Sequence, residues 1–131
     1  MGNFVTAFAL LSNFLPTVGF EKVLREVPPN LTHAVPLLTV VRFGGADTAV
    51  TIDKPNVQVD VFAATADTAE ALAEELRTAM RVKLPKYTYG GAVVGRVETM
   101  SGPQLLPWSS TAVWRVSARY QLTVHQYTGV S

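Results

Sequence analysis

The sequence predicts an α+β protein, with a mainly antiparallel sheet of four to five strands and two helices packed on one face of that sheet. Apolar and polar residues alternate within "NVQVDVF" and again from Ala112 to Gln126, which is the pattern of half-buried strands. Immediately after the first of these runs, the apolar period lengthens to about 3.6, as in an amphipathic helix. A strand that leads directly into a helix, in a chain with a second long alternating strand, favours this class.

The composition indicates one globular domain over residues 1–131. Of the 131 residues, 48% are hydrophobic and only 16% are charged, so the chain is long and apolar enough to bury a core. It contains no cysteine, which excludes disulfides and thiolate chemistry. The formal net charge is +1, so we expect the free protein to bind nucleic acid weakly.

The first element predicted is a core helix in the apolar run from Asn3 to Leu15, which is too short to span a membrane. Asn3 is the expected N-cap and Pro16 the expected end of this helix. Its apolar positions follow helical spacing: Phe4, Ala7, Phe8, Leu11 and Phe14. The next segment, from Gly19 to Pro29, fits either a strand or a helical turn.

Two strands are expected next. The run "AVPLLTVVRFGG" predicts a strand buried on both faces and stopped by its two glycines. The run "NVQVDVF" predicts a half-buried strand with two different sides. One side carries Val57, Val59 and Val61, and the other carries Gln58, Asp60 and Phe62.

The second helix begins after Thr65, a suitable N-cap, and Asp67 lies in its first turn, where the helix dipole favours an anion. Pro85 stops this helix. Its apolar stripe is Ala69, Leu72, Ala73, Leu76 and Met80. A glycine turn (Gly90, Gly91 and Gly95), a strand from Ala92 to Met100 and a last strand from Ala112 to Gln126 complete the predicted order.

The sequence predicts no catalytic, cofactor-binding or metal site. His33 and His125 stand alone, without the spacing that metal ligands use, and no serine lies in a nucleophile-elbow motif. The glycines follow a helix and precede a strand, whereas a phosphate-binding loop needs the opposite order.

The polar side of the predicted sheet is instead a candidate subunit interface. Arg115 and Arg119 point the same way from an extended strand, roughly 13 Å apart. We expect them to pair with Asp60 or Glu98, to contact a neighbouring subunit, or to line a channel for DNA.

A second candidate for the interface is the segment "SGPQLLPWSST", a connection too long for a tight hairpin. It carries three apolar residues between and beside prolines: Leu105, Leu106 and Trp108. Such anchors in a loop either pack on the chain's own core or insert into a partner, and the sequence leaves both interpretations open.

Four segments together resemble the tail terminator proteins of long-tailed, siphovirus-type actinobacterial phages. They are "PLLTVVRFGG", "DKPNVQVDVFAATADTAEALAEELRTAM", "GGAVVGRVETMSGPQLLPW" and "VWRVSARYQLTVH", and the likeness covers Pro36 to His125. "VQVDVFA" followed by "AEALAEELR" is its most distinctive part.

The resemblance implies a non-enzymatic virion protein without cofactors. It would form a homohexameric ring on the tail tube at the tail–neck junction, stop polymerisation of the major tail tube protein, and join a head–tail connector or stopper protein. Phage DNA would pass through the ring without sequence-specific binding, and assembly would take place in the host cytoplasm without a membrane partner.

Two other functions remain open at this stage. One is another neck component, such as a tail-completion or head–tail stopper protein, which would share the small size and ring assembly. The other is a small ligand-binding domain or an enzyme whose site is not recognisable from the sequence.

Overall fold

A computed structural model describes residues 3–106, 108 and 112–127. The helices are α1 (Ala7–Phe14), α2 (Leu31–Ala34) and α3 (Ala66–Thr78). A 3₁₀ turn (Leu15–Val18) follows α1, and a π turn (Ala79–Lys83) follows α3. The strands are β1 (Val23–Leu24), β2 (Leu37–Ala49), β3 (Ile52–Ala63), β4 (Thr88–Tyr89), β5 (Ala92–Leu106) and β6 (Trp114–Gln126).

The strands form a six-stranded sheet in the order β1-β2-β3-β6-β5-β4. Four long strands, β2, β3, β6 and β5, pair antiparallel with their neighbours, whereas the two-residue β1 pairs parallel with β2. Helices α1 and α3 pack against the sheet, α1 on β2 and α3 mainly on β5 and β6. The predicted α+β class is confirmed, and the strands beyond the expected number are the two short ones at the edges.

The main core lies between these helices and one face of the sheet, which we call the helix face. Val57, Val59 and Val61 are fully buried there, as their spacing predicted. Helix α3 has the expected N-cap, since the Thr65 side chain accepts a hydrogen bond from the Thr68 amide, and Asp67 lies in its first turn. The predicted stripe of α3 also faces this core, with Leu72 partly buried and Ala69, Ala73, Leu76 and Met80 buried.

The N-terminal prediction was wrong in its boundaries. Thr6, and not Asn3, caps α1, and its hydroxyl accepts a hydrogen bond from the Ala9 amide. The preceding residues are held by the sheet, because the Val5 amide donates to Gln126 Oε1 at 2.9 Å. Pro16 does not end the helical backbone at once. It sits in the first turn of the 3₁₀ segment, where the missing amide hydrogen costs nothing.

The ambiguous segment after Gly19 contains only the short strand β1, followed by bends. β1 pairs with Leu38 and Thr39, at the start of β2. Of the two predicted alternatives, the strand is therefore present, but only for the two residues that pair with β2. The rest of the segment is irregular.

The prediction that Gly44 and Gly45 stop β2 was also wrong. The strand continues through both glycines to Ala49, with an irregular register between Arg42 and Gly44, and it is exposed from Val41 onwards. Gly45 has φ +88°, and a Cβ there would lie 2.0 Å from the carbonyl oxygen of Lys54. Gly45 thus permits the close approach of β2 and β3, and the glycines allow a kinked strand where the sequence suggested a break.

Strand β5 is longer than predicted and ends at Leu106, so the first half of the expected loop is strand. Irregular registers occur at three places, the last between Ser101 and Gln104. Gly90 and Gly91 form the expected turn with positive φ angles, but Gly95 lies inside β5. The His125 ring passes so close to Gly95 that a Cβ there would lie 2.9 Å from Nε2.

Candidate subunit interface

The sheet has a second face, opposite the helix face, which carries most of the residues predicted for the interface. Strand registers place Asp60 beside Ser117, and Glu98 beside Gln121. The same alternation puts Arg115 and Arg119 on this side. We call this surface the polar face. It contains further charged residues at Lys54 and Arg96, so basic residues outnumber acidic ones on it.

Asp60 and Arg115 form the pair that the sequence predicted as one possibility. Arg115 Nη1 lies 3.8 Å from Asp60 Oδ2, and Asp60 also accepts a hydrogen bond from Gln58 Nε2 at 3.1 Å. Both charged side chains are largely enclosed, with 24% and 11% of their surfaces exposed. A partly buried pair of this kind holds its side chains in one arrangement.

Arg119 does not pair with either predicted carboxylate. Its Nε donates to Gln58 Oε1 at 3.2 Å, and its guanidinium lies 4.9 Å from the centre of the Phe43 ring. Glu98 instead pairs with Arg96 at 3.3 Å, and both of these side chains are well exposed. An exposed ion pair contributes little to stability, so Arg96 and Glu98 are available to other contacts.

The apolar anchors of the predicted loop separate from one another. Trp108 packs on the chain's own core, with its ring centre 5.0 Å from that of Phe62 in an edge-to-face arrangement. Both belong to a second apolar cluster on the polar side of the sheet, which we call the lower cluster and which also contains Leu31, Leu37 and Val113. Arg115 covers the Trp108 ring at 5.3 Å.

Leu105 and Leu106 are the last residues of β5 and point to opposite faces. Leu106 is opposite Arg115 and therefore lies on the polar face, whereas Leu105 is opposite Val116 on the helix face. Leu105 remains 40% exposed. Of the three anchors, Leu105 thus has the largest exposed fraction and is the most accessible to a partner.

A cleft of about 690 Å³, which the sequence did not reveal, lies beside β2 on the helix face. Its polar lining includes the ion pair of Arg42 and Asp53, whose shorter contact is 2.7 Å, together with Arg25, Glu26 and Asp47. Arg42 and Asp53 occupy positions that the alternation assigns to the apolar side of β2 and β3. Two charged residues at apolar positions were the feature of the sequence that could have indicated this cleft. The cleft is lined mainly by the N-terminal segment and β2, through Phe4, Val5, Phe8, Val40 and Val41.

Tyr120 is a buried polar residue beneath α3, and its hydroxyl has no hydrogen-bond partner among the described residues. Burial raises the pKa of Tyr120 to about 12, although the nearby Arg77 acts in the opposite direction. A buried hydroxyl without a partner costs free energy that a phenyl ring would not.

We therefore expect Tyr120→Phe to raise the free energy of unfolding at pH 7 by about 1 kcal/mol. Because the folded-state pKa lies above the unfolded value near 10, the wild type loses stability as the pH rises from about 10 towards 12. The variant lacks this contribution, so its advantage grows over that range. Urea unfolding at pH 7, 10 and 11 checks both effects. A variant less stable than the wild type at pH 7 would show that the hydroxyl has a partner.

Groups of acidic, histidine or cysteine side chains that could hold a metal ion are absent from the part of the chain that the structure describes. His33 lies in α2 and His125 in β6. Within residues 3–106, 108 and 112–127, no helix is long and apolar enough to cross a membrane.

These features define a small two-layer α+β protein with a charged sheet face and a second, helix-covered face. A family model for phage tail termination proteins matches residues 6–130, so the chain belongs to that family. It is accordingly a structural component of the phage virion tail and not an enzyme, and the family implies interaction with the tail tube. The match confirms the resemblance at the level of the family. Comparison with curated proteins found no similar sequence.

Proposed function

We propose that this protein forms a homohexameric ring that caps the tail tube, stops polymerisation of the major tail tube protein and offers a surface to a head–tail connector or stopper protein. The observation that carries the proposal is the family match over residues 6–130, nearly the whole chain. We take residues 1–131 to be one tail-terminator domain. A protein that terminates a tube must bind the last ring of tube protein. It must also lack a surface to which a further ring of tube protein could bind.

The two faces of the sheet suggest how a subunit sits in this ring. Helices α1 and α3 cover the helix face, so the polar face, outside the lower cluster, is the one available to line a channel. Its surplus of basic residues suits the passage of DNA, whose phosphates attract such side chains without reading sequence. Since the net charge of the whole chain is only +1, we still expect weak DNA binding by the free protein.

The proposed interface comprises surfaces of different character. Arg96 and Glu98 are exposed and can reach a neighbour, while Leu105 offers apolar surface. Trp108 contributes by holding the end of the sheet rather than by direct insertion, because its ring is already packed on Phe62. The full set that we assign to the ring contacts or their support is Asp60, Glu98, Leu105, Leu106, Trp108, Arg115 and Arg119.

The phage and the location follow from the same proposal. The resemblance of Pro36 to His125 favours a long-tailed, siphovirus-type phage of an actinobacterial host. The ring would be assembled in the host cytoplasm and would remain in the virion at the junction of tail and neck.

Sedimentation combined with negative-stain microscopy tests the ring. We expect rings in solution, or monomers that form rings when purified tails are added, because the tube end provides a template. Rings bound to the portal-side connector but never to tubes would favour the alternative of another neck component. A protein that stays monomeric, with no rings on purified tails, would contradict the proposal.

A further inference from the structure

The sheet leaves two strand edges open, one on each side. The outer side of β2 is paired with β1 only at Leu38 and Thr39. The outer side of β5 is paired with β4 at Ala92 and Val93, and Val94 exchanges backbone hydrogen bonds with Lys86 and Tyr87. Within residues 3–106, 108 and 112–127, no strand pairs with the remaining outer sides of β2 and β5. Open edges present unpaired amides and carbonyls and readily accept another strand.

The directions of the strands make these two edges compatible with each other. The four long strands alternate in direction across the order β2-β3-β6-β5, because each neighbouring pair is antiparallel. In two copies related by rotation about an axis along the strands, β5 of one copy therefore runs antiparallel to β2 of the next. The seam would continue the antiparallel pairing of the sheet itself.

The open stretches also occupy the same level of the sheet. Val41 and Ser101 both belong to the row of residues that crosses Gln58 and Arg119. β1 and β4 cover the first residues of β2 and β5, at opposite ends of the sheet. Pro103 has no amide hydrogen to donate to a neighbouring strand, so we expect continuous backbone pairing along β5 from Arg96 to Ser101. Gln104 and Leu105 lie beyond this interruption and can still place their side chains against a neighbour.

Side chains at both edges are apolar and exposed where a neighbour would cover them. On β2 these are Val41, which is 50% exposed, and Phe43, and on β5 they are Met100 and Leu105. The cleft beside β2 opens on the helix face, which is also the face of Leu105. Strand addition in which backbone pairing is accompanied by side chains entering adjacent pockets is a common form of recognition.

We propose that the open edge of β5 in one copy pairs with the open edge of β2 in the next, so that the sheet continues from subunit to subunit around the ring. The contact is head to tail, and such heterologous contacts generate closed rings when the rotation closes. The middle stretches of both edges are then paired in the assembly. This inference depends on the proposed function, since it names the contact by which that ring is made.

Paired cysteine substitutions test the seam, and the natural chain contributes no cysteine of its own. Val41→Cys is combined in turn with Glu98→Cys, Ser101→Cys or Gln104→Cys, which face the same polar side of β5. Leu105→Cys faces the other side and is the matched control. Within one copy the two edges are three strand spacings apart, about 14 Å, which is too far for a disulfide.

After mild oxidation of assembled rings, we expect at least one double variant to give a ladder of covalent oligomers on a denaturing gel. A mixture of the two corresponding single variants should give dimers only. Each single variant alone, and the control combination of Val41→Cys with Leu105→Cys, should remain largely uncrosslinked.

Two results would overturn the seam while leaving the proposed function intact. One is rings with no crosslink in any of the three pairs, and the other is efficient crosslinking of a single variant with itself, which would indicate a two-fold contact. Failure to form rings, in solution or on purified tails, would instead overturn the proposed function and the seam with it.

Discussion

Trp108→Ala is expected to lower the free energy of unfolding of the isolated protein by about 2–3 kcal/mol, or roughly 8–12 °C in melting temperature for a chain of this size. The ring packs edge-to-face on Phe62, and the Arg115 guanidinium lies 5.3 Å from the ring centre. Its removal would leave a cavity in the lower cluster. Thermal unfolding followed by far-ultraviolet circular dichroism measures the effect.

Trp114→Ala is the matched control for this prediction. Trp114 is the other tryptophan, lies at the start of β6 and is 41% exposed. Its removal should cost less, because less of its surface leaves water on folding. A Trp108→Ala protein with an unchanged melting temperature but impaired ring formation would show that the ring acts at the interface and not in the lower cluster.

Arg42→Met is expected to destabilise the protein by about 2–3 kcal/mol, because it leaves a buried carboxylate without its partner. Asp53 is only 7% exposed and accepts two hydrogen bonds from Arg42, at 2.7 and 3.0 Å. A pair held by two such bonds is strong in both geometry and energy. Arg42 also donates to the carbonyls of Gly44 and Gly45, so it supports the kink of β2 as well.

A double-mutant cycle separates these two roles of Arg42. Asp53→Asn removes the charge, and the combination with Arg42→Met should be more stable than the sum of the two single changes by more than about 1 kcal/mol. Urea unfolding of the four proteins gives the coupling energy. Additive effects would show that Arg42 stabilises β2 through the glycine carbonyls alone.

Local signals in the sequence were sufficient for the parts of the fold that depend on neighbouring residues. Thr65 and Asp67 mark the start of α3 because capping involves only the first turn. The alternation around Val57 to Val61 identifies the core side of β3 because burial repeats with the period of the strand. Gly90 and Gly91, just before β5, likewise indicate a turn, because glycine readily adopts the positive φ angles found there.

Features that depend on pairing with distant strands could not be predicted from local patterns. Two consecutive glycines, Gly44 and Gly45, usually indicate the end of a strand. β2 continues through them because it is paired with β3, which the local sequence does not show. Ser101 to Leu106 contain glycine and proline, yet pairing with β6 keeps them in the sheet through irregular registers. The edge strands β1 and β4 have only two residues each, which is too short to show an alternation of apolar and polar residues.

The candidate interface was predictable in part for the same reason. Alternation placed Asp60, Arg115 and Arg119 on one side, and the structure brings Asp60 and Arg115 together. The partner of Arg119 depends on the kink in β2 that carries Phe43, so it was not foreseeable. Phe62 follows Gln58 and Asp60 on the polar side of β3, and this apolar residue after two polar ones was a signal of the lower cluster.

The growth of tail tubes in the presence of this protein tests the central claim most directly. The phage's major tail tube protein is allowed to polymerise with and without an excess of the purified chain, and tube lengths and ends are measured by negative-stain electron microscopy. The proposed function predicts shorter tubes that carry a ring at one end and no longer elongate when fresh tube protein is added. Tubes that reach the same length with bare ends, and continue to grow, would contradict it.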